Sequence, residues 1–161
     1  GWSLLAEMWR PDITSDRRIT IGLDTIIMDN IDDILEIDND IAMITDPMKP
    51  EEVCNAITWC SPEKAKFIWD VWTNKREWVY ENCRYIGNAV SEMILLRKLF
   101  DQDGEVLRVD NIHEGIYSYK VHIMDEPDLI ENAKIIYFHG KPKQHELGTY
   151  PVDDLIIPHW R

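Results

Sequence analysis

Two short stretches carry side chains whose types and positions suit shared chemistry. The Ile-rich run ITIGLDTIIM, residues 19–28, delivers one carboxylate, Asp24, to a strand end. In FHGKPK, residues 138–143, the apolar run IIYF gives way to His139, Gly140 and Lys141. A carboxylate with an imidazole suits Mn²⁺ or Mg²⁺ and leaves coordination positions open for a diphosphate. Gly140 lets a ligand come close to the backbone. Lys141, held before Pro142, places an ammonium on a phosphate. Cation and lysine together would neutralise a departing diphosphate. Each residue also has a plainer reading: Asp24 as a turn or cap residue, and His139 as a satisfied structural histidine.

The surrounding elements alternate. Leu4–Trp9 reads as a short helical piece closed by Arg10-Pro11, and Arg18–Met28 as one strand ending at Asp29-Asn30. Ile31–Leu35 reads as a helical turn, and Asp40–Ile44 and Val53–Trp59 as strands. Ser61-Pro62-Glu63 starts a helix, with a cap, a proline at the first position and acid in the first turn. Ala65, Ile68, Trp69 and Trp72 then follow at helical spacing. A second helix is expected over Asn88–Phe100, then a turn at Asp101–Gly104. Glu105–Val109, Gly115–His122 and Ala133–Phe138 are strand-like, and the apolar tail Leu155–Trp160 is suited to docking. Interleaved strands and helices give an α/β class, in which ligands bind beyond the carboxyl ends of strands. Leu23-Asp24 and Phe138–Lys141 are two such ends.

A chain of 161 residues is the size of one domain, and 45% hydrophobic with 29% charged residues is a globular composition. The longest apolar runs, such as MILL at 93–96, are far short of the roughly 20 residues that span a bilayer. No membrane span is expected, and the start of the sequence lacks the pattern of a signal peptide. A net charge of −13 makes nucleic acid a poor partner. Asp29, Asp32, Asp33, Glu36, Asp38 and Asp40 cluster, either as a solvated surface or as part of a site needing cations. Cys54, Cys60 and Cys83 are an odd set without CxxC, so a reducing, cytoplasmic compartment is expected. Seven Trp could stack on sugars or simply fill the core.

Taken in order, several stretches resemble one family. They are GLDTIIMDNIDDIL (22–35), CNAITWCSPEKAKFIW (54–69), GIYSYKVH (115–122) and FHGKPKQHEL (138–147), preceded by Trp9-Arg10-Pro11-Asp12. The set is similar to glycogenin-like and phage-type glycosyltransferases and spans nearly the whole chain. The resemblance implies a single domain over 1–161 with an A-type (nucleotide-diphospho-sugar transferase) fold, a mixed, mainly parallel sheet flanked by helices. It implies an enzyme moving a sugar from a nucleoside-diphosphate donor to a carbohydrate or other hydroxyl acceptor, with Mn²⁺ or Mg²⁺ and a retaining outcome. By position, Asp24 and His139 match the metal ligands. Leu23, Gly140 and Lys141 match the donor-binding segments, and Asn55 a residue facing the sugar. The run Ser118–Lys120 matches a family feature without an assigned role. The family's base-binding strand and helix would lie upstream of residue 1.

The departures fall on polar positions. Gly22 stands where the first acid of Asp-x-Asp would be, Leu5 where relatives often have Lys, and Asn88 where an Asp follows Gly. Ala56-Ile57 replace small polar residues, and Glu92 is the candidate substitute acid. Two other readings therefore stand beside the enzyme. One is a weakened or inactive copy serving as a carbohydrate-binding or scaffold module. The other is an acidic interaction module.

Overall fold

The computed structural model describes residues 2–85, 87, 89–101 and 106–160. The Asn88 comparison, the Leu5 side chain and the 102–104 part of the expected turn lie outside the described residues. The class is mixed α/β, as the alternation implied. No helix among the described residues is long and apolar enough to cross a membrane.

The expected strand Arg18–Met28 is two strands in two sheets. Arg18–Ile21 (β1) pairs antiparallel with Lys49–Cys60 (β4), and Thr25–Ile27 (β2) pairs antiparallel with Ile135–Tyr137 (β7). The chain changes sheets at Gly22-Leu23-Asp24, where the Leu23 side chain is 97% exposed. The run is apolar on both sides of this point, but its middle faces solvent.

The first sheet has the order β1-β4-β3-β5, where β3 is Ile41–Asp46 and β5 is Leu107–Arg108. The second has the order β2-β7-β6, where β6 is Ile116–Ser118. The expectation of a mainly parallel sheet is corrected: β1, β2 and β3 all pair antiparallel, and only β3–β5 and β6–β7 run parallel. The cause is local. Asp46 accepts from the N–H groups of Met48 and Lys49 at 2.8 and 3.2 Å, closing a tight turn that joins β3 to β4 as a hairpin. Antiparallel neighbours follow directly from so short a connection. Arg97 reinforces the turn by donating to Asp46, Glu52 and the Val53 carbonyl.

Helix Pro62–Asn74 begins as its signals indicate. Ser61 caps it, accepting from Lys64 N–H at 3.2 Å, and Ala65, Ile68, Val71 and Trp72 are buried. The other expected helix is shorter. It starts at Glu92 (Glu92–Leu96), capped by Ser91, and widens into a π turn over Arg97–Asp101.

Three apolar clusters stack through the molecule. Ile41 and Met43 face Ile68, Leu95 and Leu96 on the helical side of the first sheet. Its other face, with Ala42, Ile44 and Trp59, meets Ile116, Ile135 and Tyr137 of the second sheet. The far face of that sheet, Ile26 and Ile136, is closed by Tyr119, Phe138, Val152 and Ile156. The alternation of Ile135, Ile136 and Tyr137 between two clusters is the period of a strand buried on both faces. The tail docks through Val152 and Ile156, while Leu155 and Trp160 remain exposed.

Candidate functional site

The two strand ends singled out in the sequence meet. Thr25 is opposite Tyr137, so Asp24 comes next to Phe138, whose N–H donates to the Asp24 carbonyl at 2.8 Å. His139 follows immediately. The chain then turns at Gly140, whose φ of 67° favours glycine. The turn brings Lys143 back over Asp24, where its ammonium forms an ion pair with the carboxylate and lies 3.5 Å from the Phe138 carbonyl. Gln144 Nε2 donates to the Leu23 carbonyl at 2.8 Å. Residues 138–144 therefore wrap over Leu23-Asp24.

Lys141 points outward. Its side chain is 86% exposed and its ammonium lies 3.4 Å from Glu146, a separation at which water screens much of the attraction. A Cβ built on Gly140 would meet nothing within 4 Å, so the backbone there is open to an approaching group.

The parallel neighbour β6 contributes the partner of His139. Ser118 is opposite Tyr137, and its Oγ lies 2.7 Å from His139 Nε2. Val121 N–H also donates to that oxygen at 3.2 Å. Ser118 N–H donates to His122 Nδ1 at 3.0 Å. Burial, then Lys120, His122 and Lys143, hold His139 below the usual imidazole range and outweigh the pull of Asp46. The lowering favours the neutral ring at neutral pH.

This donor set does not fit a resident Mn²⁺ or Mg²⁺ as it stands. Gly22 supplies no carboxylate, Asp24 is held by Lys143, and Nε2 of His139 is engaged by Ser118 Oγ. Among the described residues no group of three His, Cys, Asp or Glu is arranged to hold an ion.

Two other residues singled out separately in the sequence, Asn55 and Glu92, are in contact. Asn55 lies where the β3–β4 register steps from Met43↔Thr58 to Ile44↔Cys54, so residues 55–57 bulge from the ladder. Its amide donates to Glu92. Trp9 Nε1 donates to the other Glu92 oxygen at 3.1 Å. Glu92 is 3% exposed, and burial pushes its carboxyl up to about 7 against the lowering effect of those two donors. Both carboxyl oxygens are engaged beneath Asn55, so Glu92 acts through Asn55 and not as an exposed acid. The two clusters are neighbours along the backbone: Gly22 N–H donates to the Ala56 carbonyl at 2.8 Å, two residues from Asp24 and one from Asn55.

Lys143 was missed in the sequence, although it follows Lys141 at the i+2 position of KPK. Trp9 was quoted only as part of a motif, and Ser118 without a role. Two hollows of about 580 and 500 Å³ lie elsewhere. One is lined by Arg17, Asp38 and Lys64, the other by Glu52, Met93 and Arg97. Both are open, and neither gathers groups suited to a reaction, so the strand-end cluster is the stronger candidate on its chemistry.

No protein-family model matches this chain, and no curated protein matches it.

Proposed function

We propose that this chain is a glycosyltransferase of the A-type fold that moves a sugar from a nucleoside-diphosphate donor to a hydroxyl acceptor. The observation that carries the reading is the meeting of Asp24 with the Phe138-His139 strand end under Lys143, two stretches the sequence separates by more than a hundred residues. The ordered motif resemblance supports it, as does the open, left-handed turn at Gly140 beside two lysines. Lys141 and Lys143 hold the diphosphate oxygens, and the Gly140 backbone lets them approach. The bulged Asn55 faces the sugar, its amide fixed by Glu92. The acceptor oxygen attacks the anomeric carbon. The bond from that carbon to the diphosphate breaks, and its electron pair leaves with the nucleoside diphosphate. Lysine ammonium groups stabilise the charge that appears there. The acceptor proton passes to the departing phosphate oxygen.

Gly22 favours a second reading, a scaffold that kept the fold and lost turnover. Under it the Asp24–Lys143 ion pair is structural. Release of UDP or GDP from a panel of nucleotide sugars separates the two. Turnover that falls at least about tenfold in Lys141→Ala and Asn55→Ala supports the enzyme; no release from any donor by a folded sample leaves the scaffold.

A further inference from the structure

We infer that Lys143 takes the place of the divalent cation: the diphosphate is held at the Asp24–His139 strand ends by ammonium groups alone. This rests on the donor-site reading above. Four observations converge. The carboxylate expected at position 22 is a glycine. The remaining carboxylate, Asp24, is engaged by an ammonium. His139 Nε2 is engaged by Ser118 Oγ at 2.7 Å. And the position left by the lost acid is vacant in a specific way. A Cβ on Gly22 would stand 3.4 Å from the Ala56 carbonyl and 3.7 Å from Thr25 Oγ1, ordinary contact distances. That Thr25 hydroxyl is buried and has no hydrogen-bond partner among the described residues. Buried hydroxyls are normally satisfied, so the local frame accommodates an acid that this chain does not supply.

The placement of the ammonium groups supports the substitution. Lys120 and Lys143 act on His139 and Lys141 flanks the Gly140 turn, set against Asp24, Glu146 and Asp46. Asp24 and the Phe138 carbonyl take two of the three N–H groups of Lys143, which orients the ammonium and leaves one for a phosphate oxygen. With the acid of position 22 gone, a second cation would compete with Lys143 for a single carboxylate.

The test is calorimetric titration of UDP and of GDP into the protein in EDTA and in Mn²⁺. The inference expects the same affinity in both buffers to within about threefold, and a loss of about tenfold or more in Lys143→Gln. It also expects Gly22→Asp to gain about tenfold in affinity when Mn²⁺ replaces EDTA, because the restored pair of carboxylates can hold an ion. Wild-type binding that requires Mn²⁺ overturns the inference and leaves the donor site standing. No binding in either buffer overturns both. Should Lys143→Gln fail to fold, the wild-type comparison and Gly22→Asp decide the matter.

Discussion

Trp9 and Glu92, 83 residues apart in the chain, meet through an indole N–H that donates to the buried carboxyl at 3.1 Å. The contact ties the N-terminal 3₁₀ run Trp2–Trp9 to the start of the Glu92–Leu96 helix, directly behind Asn55. Burial sets the carboxyl at about 7, above the 4.5 of an ordinary Glu. A carboxyl raised on folding keeps a proton that the unfolded chain releases. Stability is therefore greatest below about 4.5, falls as pH climbs towards about 7, and is level above it. A shift of that size is worth about 3 kcal/mol. Glu92→Gln removes the slope, while its amide nitrogen can no longer accept from one of the two donors. Urea midpoints at acid and alkaline pH check this; parallel curves for parent and variant would refute it.

Asn55→Ala removes one of the two donors that restrain this rise. The Glu92 carboxyl then moves further up, and the fall in stability extends past the pH at which the parent levels off. A purely packing role for Asn55 would lower the whole curve without moving its end. The same urea series, extended to pH ~9, distinguishes the two outcomes.

Where the signals were local, the sequence was legible. Ser61, Pro62 and Glu63 start a helix through their own backbone chemistry, and Ala65, Ile68 and Trp72 face inward as spaced. The approach of Asp24 to His139 was legible only through motif order, because nothing local to either residue names the other. The break at Gly22 was not legible: β1 and β2 have the same composition, and only their partners, β4 and β7, put them in different sheets. Lys143 was hidden for the same reason, since its reach to Asp24 depends on the fold of the Gly140 turn. Glu92 reads as a polar first-turn residue; its burial follows from Trp9 arriving from the other end of the chain.

His139 should titrate below the ordinary value of 6.5, with its ring neutral at pH 7. An imidazole lowered on folding gives stability that is full above the unfolded value of 6.5 and is lost as pH falls from there through the folded value. Lys143→Gln removes one of the charges that lower the ring, so the His139 value rises towards 6.5. Side-chain NMR titration of both proteins reads this directly; a His139 value unmoved by the substitution would mean that Lys143 does not bias the ring.

Cys54, Cys60 and Cys83 are all buried free thiols. Burial pushes Cys54 up to about 11 and Cys60 up to about 12, and raises Cys83 as well. The thiolate is the reactive form, so at pH ~8 a thiol reagent should label the native protein at least about a hundredfold more slowly than the urea-unfolded chain. Rapid native labelling of any one would place it in a segment that opens locally.

Behind His139 the wall is Phe138 stacked on Tyr119, ring centroids 4.9 Å apart, and Tyr119 is in turn held from the tail. Its hydroxyl donates to Asp153, which also accepts the N–H groups of Gly148, Thr149 and Tyr150 at 2.8, 2.9 and 2.9 Å. Burial alone would raise Asp153, but these four donors outweigh it and hold the carboxyl below its ordinary range. A carboxylate lowered on folding supplies stability above its unfolded value of 3.8 that is lost as pH falls through the folded one. Asp153→Ala strands three backbone donors and a hydroxyl, so it should cost about 3 kcal/mol or more near pH 7. Tyr119→Phe removes one bond and keeps the ring stack, and should cost about 1 kcal/mol. Combining Tyr119→Phe with Asp153→Ala should add little to the second alone, because the shared bond is already gone. Additive losses in urea unfolding would show that Tyr119 and Asp153 stabilise the tail independently.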